Sequence, residues 1–164
     1  MLNGTSSVGK STLANALRPL LPATFCYYSS DQLADAGFRS LDPDERWNQR
    51  DAFFDGFHRS IAAFAAAGLD LLIEHIVEQP AWAEQLDELL RPFDVFRVGV
   101  HAPLKLIEER ERQRGDRAPG EAREHVATHE YWHYDLEIEN VGPPLAVAET
   151  VARAWTRRNR ELSE

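Results

Sequence analysis

The apolar positions of this chain fall into short strand-like runs separated by longer stretches of helical period. Met1-Leu2-Asn3, Thr24 to Tyr28, Leu69 to Ile73, Asp94 to Val100 and Tyr134 to Glu139 read as five strands, the second a buried aromatic-rich run and the last an alternating one. Between them, Lys10 to Leu21 carries Leu13, Ala16, Leu17 and Leu20 on one face and stops before Pro22. Asp42-Pro43-Asp44-Glu45 is a helix start, with Asp42 as N-cap, Pro43 at the first helical position and Glu45 placed to close a capping box. The helix it opens is predicted to reach Ala67 and end at Gly68. Its Trp47, Phe53, Phe54, Phe57, Ile61 and Phe64 form a broad stripe, most of it core, with the N-terminal part able to face a substrate. Further helices are predicted over Pro80 to Leu90, Pro103 to Gln113, Gly120 to Trp132, and from Pro143-Pro144 onward. Strands alternating with helices across short connections predict a parallel sheet in a three-layer α/β/α arrangement, residues 1–164 forming one domain.

Composition narrows the picture. A chain of 164 residues with 43% hydrophobic residues can bury a proper core. Its net charge of −9 argues against a nucleic-acid-binding surface, which needs a basic field. Cys26 is the single cysteine and sits in an apolar run, so it is expected to be a buried, inert thiol in a reducing cytoplasm. No run is long and apolar enough to span a bilayer and no signal-like N-terminus is present, so a soluble, cytoplasmic protein is expected, with no membrane partner. Only three residues precede Gly4, fewer than the five or so of a usual strand; either the first strand is clipped or Met1 is not the natural start.

The chemistry is concentrated between the first strand and the first helix. Gly4-Thr5-Ser6-Ser7-Val8-Gly9-Lys10-Ser11 fits the phosphate-binding pattern G-x-x-x-x-G-K-[ST] at every specified position, and Thr12 continues into the helix. The glycines let successive N–H groups point into one anion-sized cavity, where the helix dipole favours negative charge. Lys10, expected in a solvent-open loop, would reach the β/γ-phosphates of ATP, and the Ser11 hydroxyl would ligate Mg²⁺. A chance match in a chain of this length has a likelihood of roughly 1% or less.

With this loop, the aspartate of Asp31-Gln-Leu, Val98-Gly-Val100, Arg114-Gly-Asp-Arg117 with Gly120 after it, and His129-Glu130 leading into Tyr134-Asp135, the chain resembles the chloramphenicol phosphotransferase family over most of its length. These P-loop kinases are similar in fold to shikimate and nucleoside monophosphate kinases. The resemblance implies a P-loop kinase fold with a five-stranded parallel sheet, a small Arg-rich lid at about 110–120, and transfer of the ATP γ-phosphoryl group to a hydroxyl of a small molecule. It implies that Arg114 and Arg117 reach the phosphates and that Arg110 stacks on the adenine. In two places the chain departs from the pattern. Only Gln32 to Leu41 separate Asp31 from the next helix, where the family's substrate-covering segment is longer, and Glu74-His75 stands where the family has two aspartates. The transfer machinery is thus kept and the acceptor pocket changed.

Asp31, a carboxylate at a strand tip, is the expected base for the acceptor hydroxyl; its alternative is to cap the helix at Gln32, worth about 1 kcal/mol. Glu74 ends an apolar strand as a Walker B acid does and can hold Mg²⁺ through water, or can be a satisfied strand end. His75 can point at substrate or be structural. The arginines at 110, 112, 114 and 117 suit phosphate because their forks are planar and permanently charged. A competing class comes from His129-Glu130-Tyr131-Trp132-His133, which fits the zinc-hydrolase pattern H-E-x-x-H, with His125 one turn earlier. That motif requires a sustained helix, whereas a strand is predicted to begin at Tyr134. A non-catalytic nucleotide-binding protein is the third class; it would need neither Asp31 nor the lid.

Overall fold

The structure, a computed structural model, describes residues 1–114, 120, 123 and 125–161, the side chain of residue 114 excepted. Strands β1 (Leu2–Asn3), β2 (Phe25–Ser29), β3 (Asp70–His75), β4 (Val98–His101) and β5 (Leu136–Glu139) form one parallel sheet in the order β2-β3-β1-β4-β5. Leu2 pairs with both Glu74 and Val98, and Ser29 pairs with Glu74. The carboxyl ends of β1, β2 and β3 are therefore level.

Helices α1 (Lys10–Leu17), α6 (Leu104–Arg114) and α7 (Pro144–Glu161) bury Leu13, Leu17, Ile107 and Val151 with Leu2, Val98 and Val100 of the sheet. A second core joins α4 (Arg50–Ala66) and α5 (Pro80–Leu90) to Ile73 through Phe54, Phe57, Ile61, Trp82 and Leu86. The sheet thus lies between two helical layers, as alternating strands and helices dictate. Short helices α2 (Ser30–Leu33) and α3 (Pro43–Asn48) complete the connection from β2 to α4.

Several boundaries differ from the sequence pattern. The first helix leaves α geometry at Leu17 and tightens into a 3₁₀ turn over Arg18–Leu20, because Pro19 has no N–H to continue the ladder. The long helix expected from Pro43 is broken at Gln49 (φ −92°, ψ 3°), where the exposed α3 meets the packed α4. Asp42 caps α3 by accepting from the N–H groups of Asp44 and Glu45, but the capping box does not close: the Asp42 N–H goes to Ser40 Oγ and Glu45 binds Gln49. Of the apolar stripe, Phe54, Phe57 and Ile61 are buried as expected and Phe64 is exposed, while Trp47 at its N-terminal end is 75% exposed and lines the cleft described below. Cys26 is exposed, not buried: it lies on the edge strand β2, and α4 covers that strand only from Tyr28, whose ring meets Phe57 and Phe64. Among the described residues, no helix is long and apolar enough to cross a membrane.

Candidate active site

The loop from Gly4 to Gly9 leaves the end of β1 and runs into α1. Asn3, at its root, is clamped from both sides. Its Oδ1 accepts from the Val77 N–H at 2.9 Å, and its Nδ2 donates to Thr128 Oγ1 at 3.0 Å and to the Tyr134 hydroxyl at 2.7 Å. Two positions of the loop require glycine. A Cβ on Gly4 would stand 2.4 Å from the Val100 carbonyl oxygen, and Gly9 has φ 94° with Asn140 Nδ2 2.7 Å from where its Cβ would be. Between them Ser7 adopts φ 59°, the left-handed turn that lets neighbouring N–H groups converge. The Val8 carbonyl accepts from Asn140 Nδ2 and from Arg110 Nη1, both at 2.9 Å. The loop is thereby pinned to the end of β5 and to α6.

Lys10 is 6% exposed, so the expectation of a solvent-open position is corrected: its Nζ folds back onto the loop, donating to the carbonyls of Gly4 at 2.8 Å and Thr5 at 2.9 Å. Ser11 Oγ donates to Glu74 Oε1 at 2.7 Å, and the Tyr27 hydroxyl donates to Glu74 Oε2. Burial, then the Glu74 carboxylate, pushes the Tyr27 phenol up from its ordinary value, so it remains a donor. Ser11 and Glu74 meet because β3 lies beside β1 with Glu74 at the sheet's carboxyl end.

Asp31 lies in the first turn of α2, past the end of β2. The cap of that helix is Ser29: its Oγ accepts from the Gln32 N–H at 3.2 Å, and its own N–H donates to Gln32 Oε1 at 2.9 Å. The capping role considered for Asp31 therefore belongs to Ser29. Lys10, Ser11, Thr12, Asp31, Glu74 and His75 line one cleft of about 820 Å³.

Sequence reasoning missed three charged residues of this cleft. Arg50 is ion-paired with Glu78 and lies over the rings of Phe54 and Trp82, 5.0 Å from each centroid. Burial raises the Glu78 carboxyl, but His125 and Arg50 outweigh it and hold the group below its ordinary value. Arg39 lies 4.3 Å over the Phe53 ring and lines both this cleft and an adjoining apolar cavity of about 580 Å³ walled by Tyr28, Leu33, Phe38, Phe53, Phe57 and Phe64. Neither cation stands in a motif; the aromatic stripe of α4 was the only signal that a pocket lay there.

Arg110 donates to Val8 O and, at 3.0 Å, to Asn140 O, so its guanidinium braces the loop. The backbone of Arg114 ends α6; Arg117 lies outside the described residues. The H-E-x-x-H stretch is not on one helix. A 3₁₀ turn over Val126–Glu130 ends before His133, which is exposed, and His129 stacks on His101 at 3.8 Å while its Nδ1 bonds the Tyr134 hydroxyl at 3.0 Å. Among the described residues no three His, Cys, Asp or Glu are grouped to hold a metal ion.

Sheet order, loop and helix together define a P-loop kinase fold. Solved structures agree: the tunicamycin resistance protein of Deinococcus radiodurans superposes with a TM-score of 0.68 at 21% identity, covering 93% of this chain and 91% of that one. Shikimate kinase from Acinetobacter baumannii gives 0.66 at 16% identity, covering 96% and 92%. A family model described as chloramphenicol phosphotransferase-like protein matches residues 1–156, and the chain belongs to that family. Two relatives from two strains of Mycobacterium tuberculosis, each provisionally named an O-phosphotransferase, are 26% identical over 173 residues, which is 88% of this chain and 76% of theirs.

Proposed function

We propose that the cleft moves the γ-phosphoryl group of ATP to a hydroxyl of a small molecule. The observation that carries this reading is the meeting, in one cleft at the carboxyl ends of three adjacent strands, of the phosphate loop, the Ser11–Glu74 pair and the Asp31 carboxylate. The donor set fits a nucleotide phosphate with a divalent cation. Ser7 Oγ is buried with no protein partner among the described residues, Lys10 brings a positive charge to the loop, and Ser11 and Glu74 offer hard oxygen ligands. Mg²⁺ at that pair would neutralise charge on the phosphate oxygens.

Asp31 takes the proton of the acceptor hydroxyl as that oxygen forms its bond to phosphorus and the bond from phosphorus to the ADP oxygen breaks. Gly4, Thr5, Ser6, Ser7, Val8, Gly9 and Thr12 supply the backbone around the phosphates, Arg110 secures the loop, and Arg114 and Arg117 answer the charge that builds in transfer. The apolar cavity joined to the cleft through Arg39 favours an acceptor with an aromatic or apolar body, an antibiotic-like alcohol. A metabolic acid such as a shikimate-like substrate is the second reading, favoured by Arg39 and Arg46 in the same cavity. The test is an ATP-consumption screen over chloramphenicol, other hydroxyl antibiotics, sugars, nucleosides and shikimate, with product mass. A phosphate adduct of one alcohol is the expected result; ATP consumption that yields only inorganic phosphate would count against the reading.

A further inference from the structure

A chain of hydrogen bonds runs from the protein surface to the wall of the cleft and fixes the protonation pattern of His75. It starts at Asp55 on α4, whose carboxylate is paired with Arg59 at 2.8 Å and accepts from Gln85 Nε2 of α5 at 2.5 Å. A carboxylate only accepts, so the amide nitrogen of Gln85 must face Asp55 and its Oε1 must face inward. That oxygen lies 2.7 Å from His58 Nδ1, which must therefore carry the proton. Neutral His58 then has a lone pair on Nε2, 2.9 Å from His75 Nε2, so the His75 proton sits on Nε2. What remains on His75 is a bare Nδ1 acceptor, buried and without a protein donor among the described residues.

Both rings are buried, and among the described residues no ring nitrogen of either histidine bonds a carboxylate that would hold a second proton: those of His58 meet Gln85 Oε1 and His75, and Nδ1 of His75 meets none. The His75 ring is fixed against Trp82 at 5.8 Å and 17°, with Phe54 and Phe57 beside it. A buried acceptor with no donor is unfavourable, and a donor arriving with a ligand would relieve it.

We propose that His75 is a specificity-determining residue of the cleft, its Nδ1 held as a hydrogen-bond acceptor for an O–H or N–H group of the phosphoryl acceptor, and that Asp55, Gln85 and His58 are positioning residues that set its tautomer. The inference rests on the reading of the cleft as an alcohol-phosphorylating site, and it concerns the position where this chain has histidine and the resembled family an aspartate. An ionised carboxylate there would also accept a hydrogen bond but would add a negative charge to the cleft, whereas the neutral imidazole accepts without that charge.

Two measurements test it. In the full chain labelled with ¹⁵N-histidine, long-range ¹⁵N–¹H correlation is expected to show single neutral tautomers, with the proton on Nε2 of His75 and on Nδ1 of His58, and Gln85→Met is expected to abolish that pattern at both. A proton on Nδ1 of His75, or a pattern unchanged in Gln85→Met, overturns the relay whatever the enzyme's acceptor. In kinetics at saturating MgATP, with chloramphenicol, shikimate and gluconate as probes, His75→Phe keeps the stacked ring and removes the acceptor atom. For whichever probe the wild type phosphorylates, KM for the alcohol is expected to rise about three- to tenfold with KM for ATP unchanged, and His75→Asn to restore it. An equal alcohol KM in His75→Phe overturns the contact. If the wild type phosphorylates none of the probes, that counts against the acceptor reading, and the NMR result alone decides the relay.

Discussion

Ser11 and Glu74 stand 63 positions apart in sequence, yet the Ser11 hydroxyl donates to the Glu74 carboxylate at 2.7 Å. The contact exists because β3 is inserted between β1 and β2, which brings an acidic strand end beside the helix that the phosphate loop opens. It joins the two residue types that hold a divalent cation in P-loop enzymes.

Glu74→Gln should therefore raise the Mg²⁺ concentration needed for half-maximal activity about 10- to 100-fold, while its single amide oxygen can still accept one of the two bonds that Ser11 and Tyr27 donate to the carboxylate. Magnesium titration of turnover checks this. An unchanged requirement would make Glu74 a structural strand end.

Asp31→Asn separates chemistry from helix capping, because the cap belongs to Ser29 and Gln32. The first-turn carboxylate contributes at most about 1 kcal/mol through the helix dipole, so the melting temperature should move little. Phosphorylation should fall about 10²-fold or more with ATP binding kept. Ser29→Ala should show the converse, a loss of about 1 kcal/mol of stability. If the Asp31→Asn variant phosphorylates at the wild-type rate, the base lies elsewhere, with Glu74 the next candidate.

His129 gives a pH signature. Burial, then the charges of His101 and Lys10, lowers it from 6.5 to about 4. The folded chain thus binds this proton less readily than the unfolded chain, so the stability His129 confers is fully present above about pH 6.5 and is lost as the pH falls toward 4. Tyr134 makes the same point in geometry: its hydroxyl receives Asn3 Nδ2, so its own proton goes to His129 Nδ1, which must be unprotonated to accept it. Melting temperatures at pH 7 and 5 should fall less in His129→Gln than in the wild type. Parallel falls would show that other groups carry the whole effect; burial lowers His58 as well.

Much of this arrangement is legible in the amino-acid sequence, and for identifiable reasons. In the loop from Gly4 to Ser11 the glycines fall where the backbone needs them, Gly4 against the Val100 carbonyl and Gly9 at φ 94°, and α5 starts at Pro80 as its apolar period predicts. What depended on tertiary neighbours did not show. Cys26 looked buried because its neighbours are apolar, but an edge strand covered only from Tyr28 leaves it in solvent. Lys10 looked open because loops are, but its own loop's carbonyls capture it. Arg39, Arg50 and Glu78 reach the cleft through packing, and the relay from Asp55 to His75 spans α4, α5 and β3, which no sequence period connects.

The central claim is that this loop and cleft pass a phosphoryl group from ATP to an alcohol, and on that account Lys10, whose Nζ holds the carbonyls of Gly4 and Thr5, is the cation that the loop brings to the transfer. The most direct measurement follows the label of γ-phosphate-labelled ATP, incubated with Mg²⁺ and the panel of hydroxyl compounds, in the wild type and in Lys10→Ala. Label should appear in an organic phosphate with the wild type and fall by about 10²–10³ in the folded variant. Label found only as inorganic phosphate, or transferred equally well without Lys10, would contradict the account.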